Sequence, residues 1–531
     1  MPGYKLSEKE LLATVTNMAR LMSKLGTQQK SLRMKTTLIS ALIFICASLA
    51  LKSQMTEYGK FTKADCPIEI PEELASSGKF IFGYMTVPEF HGQPGSQAIE
   101  LAIAIFKCRK DSAIYDPLIL NSGGPGMSNL EDFVPTFAGP LGNLFLFERD
   151  VVIIELRGLK HSRPSLLSPE LDQVQMELLD EHLSYAEMMK KYRKGVHSVQ
   201  EKFAEQGINL SAYNYTETAS DIAFVMEALG YHTFAAFGNS AGTIVAQYLL
   251  MDHADKLSAL SLNAVAHLPY GFSNMCVTSI NKLESLFREV ESNKSYELAY
   301  SGLKQSFLSA LIDLEASPEI LEVILQGSET PTTIVLDGKR TAQWIFGQMY
   351  WNTQLPLTMH KITQGDYSEI VNNPAIFLPT PHFSNGSFWS MVMSSWPDPT
   401  DEQLFVGTEW ELFVQGIGMM PFSQPFVKQV RDAWKVEHKP GNIKAMTKNV
   451  PTLMLNGAED HVCLAGHVRE LSDSFELSHC YIFDGIAHSP IDAGECAIMM
   501  MKQFLDNPLS TPDDSCMEAF VKSTEYKLPE D

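Results

Sequence analysis

The sequence predicts an α/β protein: a mostly parallel sheet covered by helices on both faces, with a large helical insertion. Three observations carry that expectation. Short, continuous apolar runs alternate with longer stretches of helical periodicity, the pattern of a sheet buried on both sides. Gly238-Asn239-Ser240-Ala241-Gly242 stands at a corner between a strand-like run, His232 to Phe237, and a helix-like run, Thr243 to Met251. From about Gly271 to Lys439 helical periodicity dominates, and strand-like runs resume only at Pro451.

The elements follow in order. Residues 1–50 read as an upstream segment and an export signal. Leu38 to Leu51 is an apolar run of 14 residues, short for a membrane span, which needs about 20. Lys35 precedes it and Ser48-Leu49-Ala50 offers a small-residue exit, so 34–50 has the layout of a secretory signal. Met34 would open that signal, which leaves Met1 and Met34 as alternative starts. The expectation is export to the periplasm or the exterior, with no stable membrane insertion once the signal is cleaved. The alternative is a membrane anchor formed by residues 38–51.

Residues 51–270 read as the first part of the core. Phe80 to Val87 and Ala98 to Phe106 are strands joined by a Gly/Pro-rich turn. Pro117 to Leu120 is a short buried strand that runs into Asn121-Ser122-Gly123-Gly124-Pro125-Gly126. Asp150 to Leu156 is another, ending at Arg157-Gly158. Thr216 to Leu229 is an amphipathic helix, and Ala259 to Asn263 is the strand after the Ser240 corner. Residues 271–440 read as a helical cap, with helical segments at Cys276–Glu291, Leu303–Leu314 and Pro318–Ile324. Residues 441–531 complete the core with strands Pro451–Asn456 and His479–Phe483 and a helix from Cys496 to Phe504.

Composition narrows the partners. The 531 residues carry 41 Lys/Arg against 63 Asp/Glu, a net charge of −22. Such an acidic chain argues against nucleic acid or an anionic membrane as its main partner. Of the eight cysteines, Cys496 and Cys516 bracket the last helix and are the expected disulfide; Cys463 with Cys480 is a second option. No Cys/His cluster has zinc-ligand spacing, so no metal and no cofactor is expected.

The chemistry gathers around Ser240. In G-x-S-x-G at a strand-to-helix turn, the serine holds a strained backbone that lifts its hydroxyl clear of the sheet. Side chains at Gly238 or Gly242 would collide with the neighbouring strand and helix. A serine needs a base, and the base needs an orienting acid. Both should follow late strands, and Asp460 and His488 do so, in the order Ser240, Asp460, His488. Glu459 competes for the acid role, and the spacing after its strand favours Asp460. The oxyanion hole needs two backbone N–H groups. Ala241, next after the nucleophile, and Gly124, in the Gly-rich loop, are the candidates.

With these residues in hand, the chain is similar to α/β-hydrolase serine peptidases of the prolyl aminopeptidase and tripeptidyl aminopeptidase (TAP-like) family, from about residue 66 to the C-terminus. Gly123-Gly124-Pro125-Gly126 resembles the family's oxyanion loop, Asp150 to Gly158 its strand ending in Asp-x-Arg-Gly, and Asn456-Gly457-Ala458-Glu459-Asp460 its acid loop. The pattern departs at Ser122, Glu155, Lys160 and Ala241, where the family favours His, Asp, a small residue and Tyr. The resemblance implies an α/β-hydrolase fold and an exopeptidase that releases proline or short peptides from free N-termini, without a metal, through Ser240, His488 and Asp460. A carboxylesterase using the same triad is the alternative.

Overall fold

A computed structural model of the chain describes residues 58–270, 274–325, 330–351, 354–396, 408–520 and 525–529. The proposed signal at 34–50 and the apolar run 38–51 lie outside these residues. Among the described residues no helix is long and apolar enough to cross a membrane.

Nine strands form one sheet. They are β1 (Phe61–Lys63), β2 (Phe80–Pro88), β3 (Ala98–Phe106), β4 (Leu118–Asn121), β5 (Val151–Ile154), β6 (Phe234–Asn239), β7 (Leu257–Asn263), and, after a hairpin described below, β10 (Thr452–Gly457) and β11 (Ser478–Phe483). Their order is β1-β2-β3-β5-β4-β6-β7-β10-β11. The first four pair antiparallel, and β5, β4, β6, β7, β10 and β11 run parallel. The expected mostly parallel sheet is therefore present, and this is the α/β-hydrolase fold. The C-terminal ends of β6, β10 and β11 lie along one edge, where Ser240, Asp460 and His488 follow them.

Alternation within each strand builds the two faces. In β5, Val151 and Ile153 point into a core shared with helices Asn129–Ala138, Pro140–Phe145 and Glu495–Asp506. Val152 and Ile154 point into the opposite core, which helices Tyr215–Ala228, Gly242–Asp252 and Ala465–Asp473 cover. Burial on both sides is why these strands read as unbroken apolar runs. Cys496 and Cys516 form a disulfide at the last long helix, whereas Cys463 and Cys480 are free thiols. The second pairing option is thus corrected: Cys463 is buried beside Asp460 in the loop after β10, and Cys480 lies mid-strand in β11.

Between β7 and β10 the chain is mainly helical, from Met275–Ser292 to Gln424–Val430. Pro318–Ile324, expected as helix, is instead strand β8 (Glu319–Ile324), paired antiparallel with β9 (Pro331–Leu336). Leu321 and Val323 face inward while Ile320 and Ile324 are exposed, the period of a strand and not of a helix. The helical layer also draws on the core span. Helix Tyr185–Glu205, between β5 and β6, packs Tyr192 on Phe426 at 5.1 Å and Phe203 on Trp434 at 6.1 Å between ring centres. The Val335 amide donates to the Leu179 carbonyl at 2.8 Å.

Three buried ionisable groups, Arg157, Asp221 and Glu155, organise the loops after β5. The Arg157 guanidinium forms a two-pronged pair with Asp221, both contacts at 2.7 Å, and donates to the carbonyls of Glu89 and Ala212. Both partners are buried, at 0% and 1% exposed. The Glu155 carboxyl accepts from the Ser128 hydroxyl and from the Leu130 and His161 amides. It thereby ties the oxyanion loop, the following helix and the 158–165 turn together.

Removing one member of a buried pair leaves the other charge uncompensated. Arg157→Met is expected to cost about 3–5 kcal/mol in urea unfolding; a loss under 1 kcal/mol would show that the pair holds nothing. Burial pushes the Glu155 carboxyl up from 4.5 to about 7. Folding therefore keeps a proton that the unfolded chain releases. The stability this adds is fullest below pH 4.5 and is lost as pH rises through about 7. Measured against Glu155→Gln, wild-type unfolding free energy should fall by roughly 1–3 kcal/mol between pH 4.5 and 8; a constant difference would contradict the assignment.

Candidate active site

Ser240 sits where β6 turns into helix Gly242–Asp252, with φ of 51°. A left-handed backbone at a non-glycine residue costs on the order of 1–3 kcal/mol and persists only where its surroundings hold it. Here the Ser240 amide donates to the Asn263 carbonyl on β7 at 2.8 Å. Its own carbonyl accepts from the Thr243 amide at 2.9 Å and the Thr243 hydroxyl at 2.6 Å. A Cβ on Gly238 would stand 2.6 Å from the Gly242 carbonyl oxygen, and one on Gly242 would run into the carbonyls of Asn121, at the end of β4, and of Ser122 just beyond it. The two glycines let strand, turn and helix close on one another.

Asp460 and His488 meet. His488 Nδ1 lies 2.7 Å from Asp460 Oδ2, and both side chains are buried, with Asp460 at 3% and His488 at 8% exposed. The other carboxylate oxygen, Oδ1, accepts from the Val462 and Cys463 amides at 2.9 and 2.8 Å. With Nδ1 taken by Asp460, Nε2 is the imidazole nitrogen left for a reacting group. Glu459 points elsewhere and pairs with Lys282 of helix Met275–Ser292. His461, the next residue, is buried with both ring nitrogens unpartnered among the described residues. Burial pushes its pKa down to about 3. It packs edge-on against Phe346 and Tyr350 as a neutral ring.

The loop after β4 lies against Ser240. A Cβ on Gly123 would come within 3.3 Å of Ser240 Cβ. Gly124 has φ of 50°, and its carbonyl accepts from the Met127 amide at 2.9 Å. The Gly124 and Ala241 amides have no acceptor among the described residues. Ser122 donates to Asp132, whose carboxyl burial pushes up from its ordinary value. Asp132 has no salt-bridge partner among the described residues, while neighbouring Glu131 binds His161 and Lys160.

Ser240, His488, Gly123 and Gly124 line one cavity of about 500 Å³. The rest of its wall is mainly apolar, with Met127, Met275, Tyr350, Phe383, Phe388 and Phe422 among its members, and carries the polar side chains of Ser122, Asp132, Asn239 and Thr380. Several of these contacts were not visible in the sequence. The His488 amide donates to the Tyr350 carbonyl at 3.1 Å, and the Tyr350 ring stands edge-on to His488 at 5.3 Å. The buried Cys463 thiol lies close to the Asp460 carboxylate and the His488 ring, and burial pushes its pKa well up. No motif marks either residue; each arrives through the three-dimensional fold. Asp460, Cys463 and His488 also present ligand atoms within 4.8 Å of one another, and His182, Glu315 and Asp337 form a second such group in the helical layer. At the first, the Asp460 oxygens are already engaged by His488 and two backbone amides, a donor set built for orienting an imidazole.

The sheet order and this edge are those of the α/β-hydrolase fold. A family model described as the alpha/beta hydrolase fold matches residues 116–283, which hold the Gly123–Gly126 loop and the Ser240 turn. Similar solved structures include an esterase from Exiguobacterium antarcticum (12% identity, 77% of this chain and 96% of that one, TM-score 0.35). They also include a thermophilic esterase from Thermogutta terrifontis (12%, 80% and 99%, TM-score 0.34) and a putative acyltransferase from Salmonella enterica (14%, 84% and 99%, TM-score 0.33). No curated protein matches the chain.

Ser240→Ala deletes one oxygen without touching the hydrogen bonds that hold the turn. It should abolish turnover while leaving the unfolding midpoint within a few degrees of wild type. Asp460→Asn, which removes the acceptor that fixes the His488 tautomer, should lower kcat by about 10⁴-fold. Retained turnover in Ser240→Ala, by steady-state assay, would exclude Ser240 as nucleophile.

Proposed function

We propose that the chain is a serine hydrolase that works through an acyl-enzyme. The observation that carries this is the 2.7 Å His488–Asp460 contact in the wall of the cavity that also holds Ser240 at positive φ. Ser240 Oγ attacks a carbonyl carbon as His488 Nε2 takes its proton. Asp460 stabilises the imidazolium, and the Gly124 and Ala241 amides hold the oxyanion. His488 then protonates the leaving group, and water, deprotonated by His488, releases the acid and restores Ser240.

The apolar, aromatic wall supports substrates whose acyl group is apolar, which suits carboxylic esters. The exopeptidase reading, in which peptides lose proline or a short N-terminal piece, has one observation in its favour. Asp132 brings a carboxylate without a salt-bridge partner among the described residues to the cavity wall, a complement for a free amine. The Cys496–Cys516 disulfide is compatible with an oxidising compartment and supports export to the periplasm or the exterior.

One panel separates the two substrates. Chromogenic peptides with free and acetylated N-termini and neutral esters would be compared by kcat/KM, with Ser240→Ala as blank. Preference for the free amine by tenfold or more, lost in Asp132→Asn, would establish the exopeptidase. Equal or faster cleavage of blocked substrates and esters would establish the esterase. Neither turnover nor labelling by a serine-reactive phosphonate would overturn the acyl-enzyme proposal itself.

A further inference from the structure

A second cavity, of about 410 Å³, lies among helices Asn129–Ala138, Pro140–Phe145 and Glu495–Asp506, on the sheet face those helices cover. It meets the catalytic cavity at Ser122, Asp132 and Asn239, each of which lines both. Its lining is graded. The residues nearest the chemistry are polar: Asn239 precedes Ser240, and Ser489 follows His488. The Asn263 side chain donates to both at 2.8 Å and fixes that end. Away from it the wall becomes apolar, with Phe137, Leu141, Phe145, Ile498 and Met501. Its size falls in the range of small-molecule sites.

We propose that this second cavity receives the hydrocarbon tail of the acyl group, so that the substrates are esters of straight-chain carboxylic acids of medium length or longer. The inference rests on the acyl-enzyme reading of Ser240. The acyl group is the part of the substrate that stays bonded to Ser240, and the cavity begins at the residue before it. A polar end beside the carbonyl and an apolar end beyond it match a carboxyl head and an alkyl tail. Each methylene moved from water into the apolar end should raise binding about threefold to fourfold.

The test is kcat/KM for p-nitrophenyl esters from acetyl to palmitoyl. Wild type should gain about threefold to fourfold per methylene from butanoyl to about octanoyl and then level off. Leu141→Trp and Ile498→Trp, which fill the apolar end far from Ser240, should flatten that rise and leave the acetyl ester unchanged. The acetyl ester rate and the unfolding midpoint report whether each variant is folded. The labelling rate of Ser240 by ethyl and octyl phosphonates gives a second measure that needs no turnover, with the octyl reagent faster in wild type only. Rates highest for acetyl, or a rise that both folded variants retain, would overturn the tail site while leaving the acyl-enzyme intact. If neither phosphonate labels Ser240 and the acetyl ester is not cleaved, the acyl-enzyme reading falls and takes the tail site with it.

Discussion

Everything at this site depends on the backbone of Ser240 being held at a φ that a serine does not choose. The hold is mutual. β6 supplies the residue, β7 accepts its amide through Asn263, and the first turn of the next helix donates to its carbonyl. Closing three elements on one point leaves no volume for a Cβ at Gly238 or Gly242. The cost of the strained residue is met by the packing and hydrogen bonds around it, and the return is a hydroxyl that stands on the sheet edge facing a cavity. Asn263 extends the same construction sideways: its backbone holds Ser240, and its side chain holds Asn239 and Ser489, the chain neighbours of Ser240 and His488.

The helical insertion is fastened to this edge at both of its chemical sides. The Tyr350 carbonyl takes the His488 amide, and the Ser384 amide donates to the Gly126 carbonyl in the oxyanion loop at 2.7 Å. A Cβ at Gly126 would stand 2.6 Å from the Ser384 carbonyl oxygen, so the insertion and the loop touch backbone to backbone. Lys282 draws Glu459 toward the same layer and leaves Asp460 alone with His488. The insertion thus supplies cavity wall and also holds the loops that carry His488 and Gly124. A substitution in it can alter the catalytic step without touching substrate.

The parallel strands were legible because burial on both faces writes itself as unbroken apolar runs. Ser240, Asp460 and His488 were legible because each falls just after such a run. Pro318 to Ile324 was misread because Ile320, Leu321, Val323 and Ile324 satisfy helical spacing as well as strand spacing over so few residues. Only pairing with Pro331–Leu336 decides between them. Helix Tyr185–Glu205 lies within the core span of the sequence yet packs against the insertion. Its partners, Phe426 and Trp434, are more than 200 residues away, a distance that no local pattern reports. Tyr350 and Cys463 reach the site in the same way, as ordinary residues brought close by the fold.

A serine, an imidazole, a carboxylate and two amides act on esters and amides alike, so the reacting centre does not decide the substrate. The discrimination has to come from the walls, and here the walls disagree with one another. One is aromatic and neutral, and rewards apolar surface in proportion to its area. Asp132 is the exception, a carboxyl with a hydroxyl for a partner and no cation within salt-bridge reach among the described residues. Burial raises its pKa, which lowers the penalty of leaving it neutral beside an alkyl chain and weakens it as an anchor for an amine. Under the proposed acyl-enzyme reading that balance favours neutral acyl groups, and the choice between ester and peptide turns on the protonation of one carboxyl 108 residues before Ser240 in sequence.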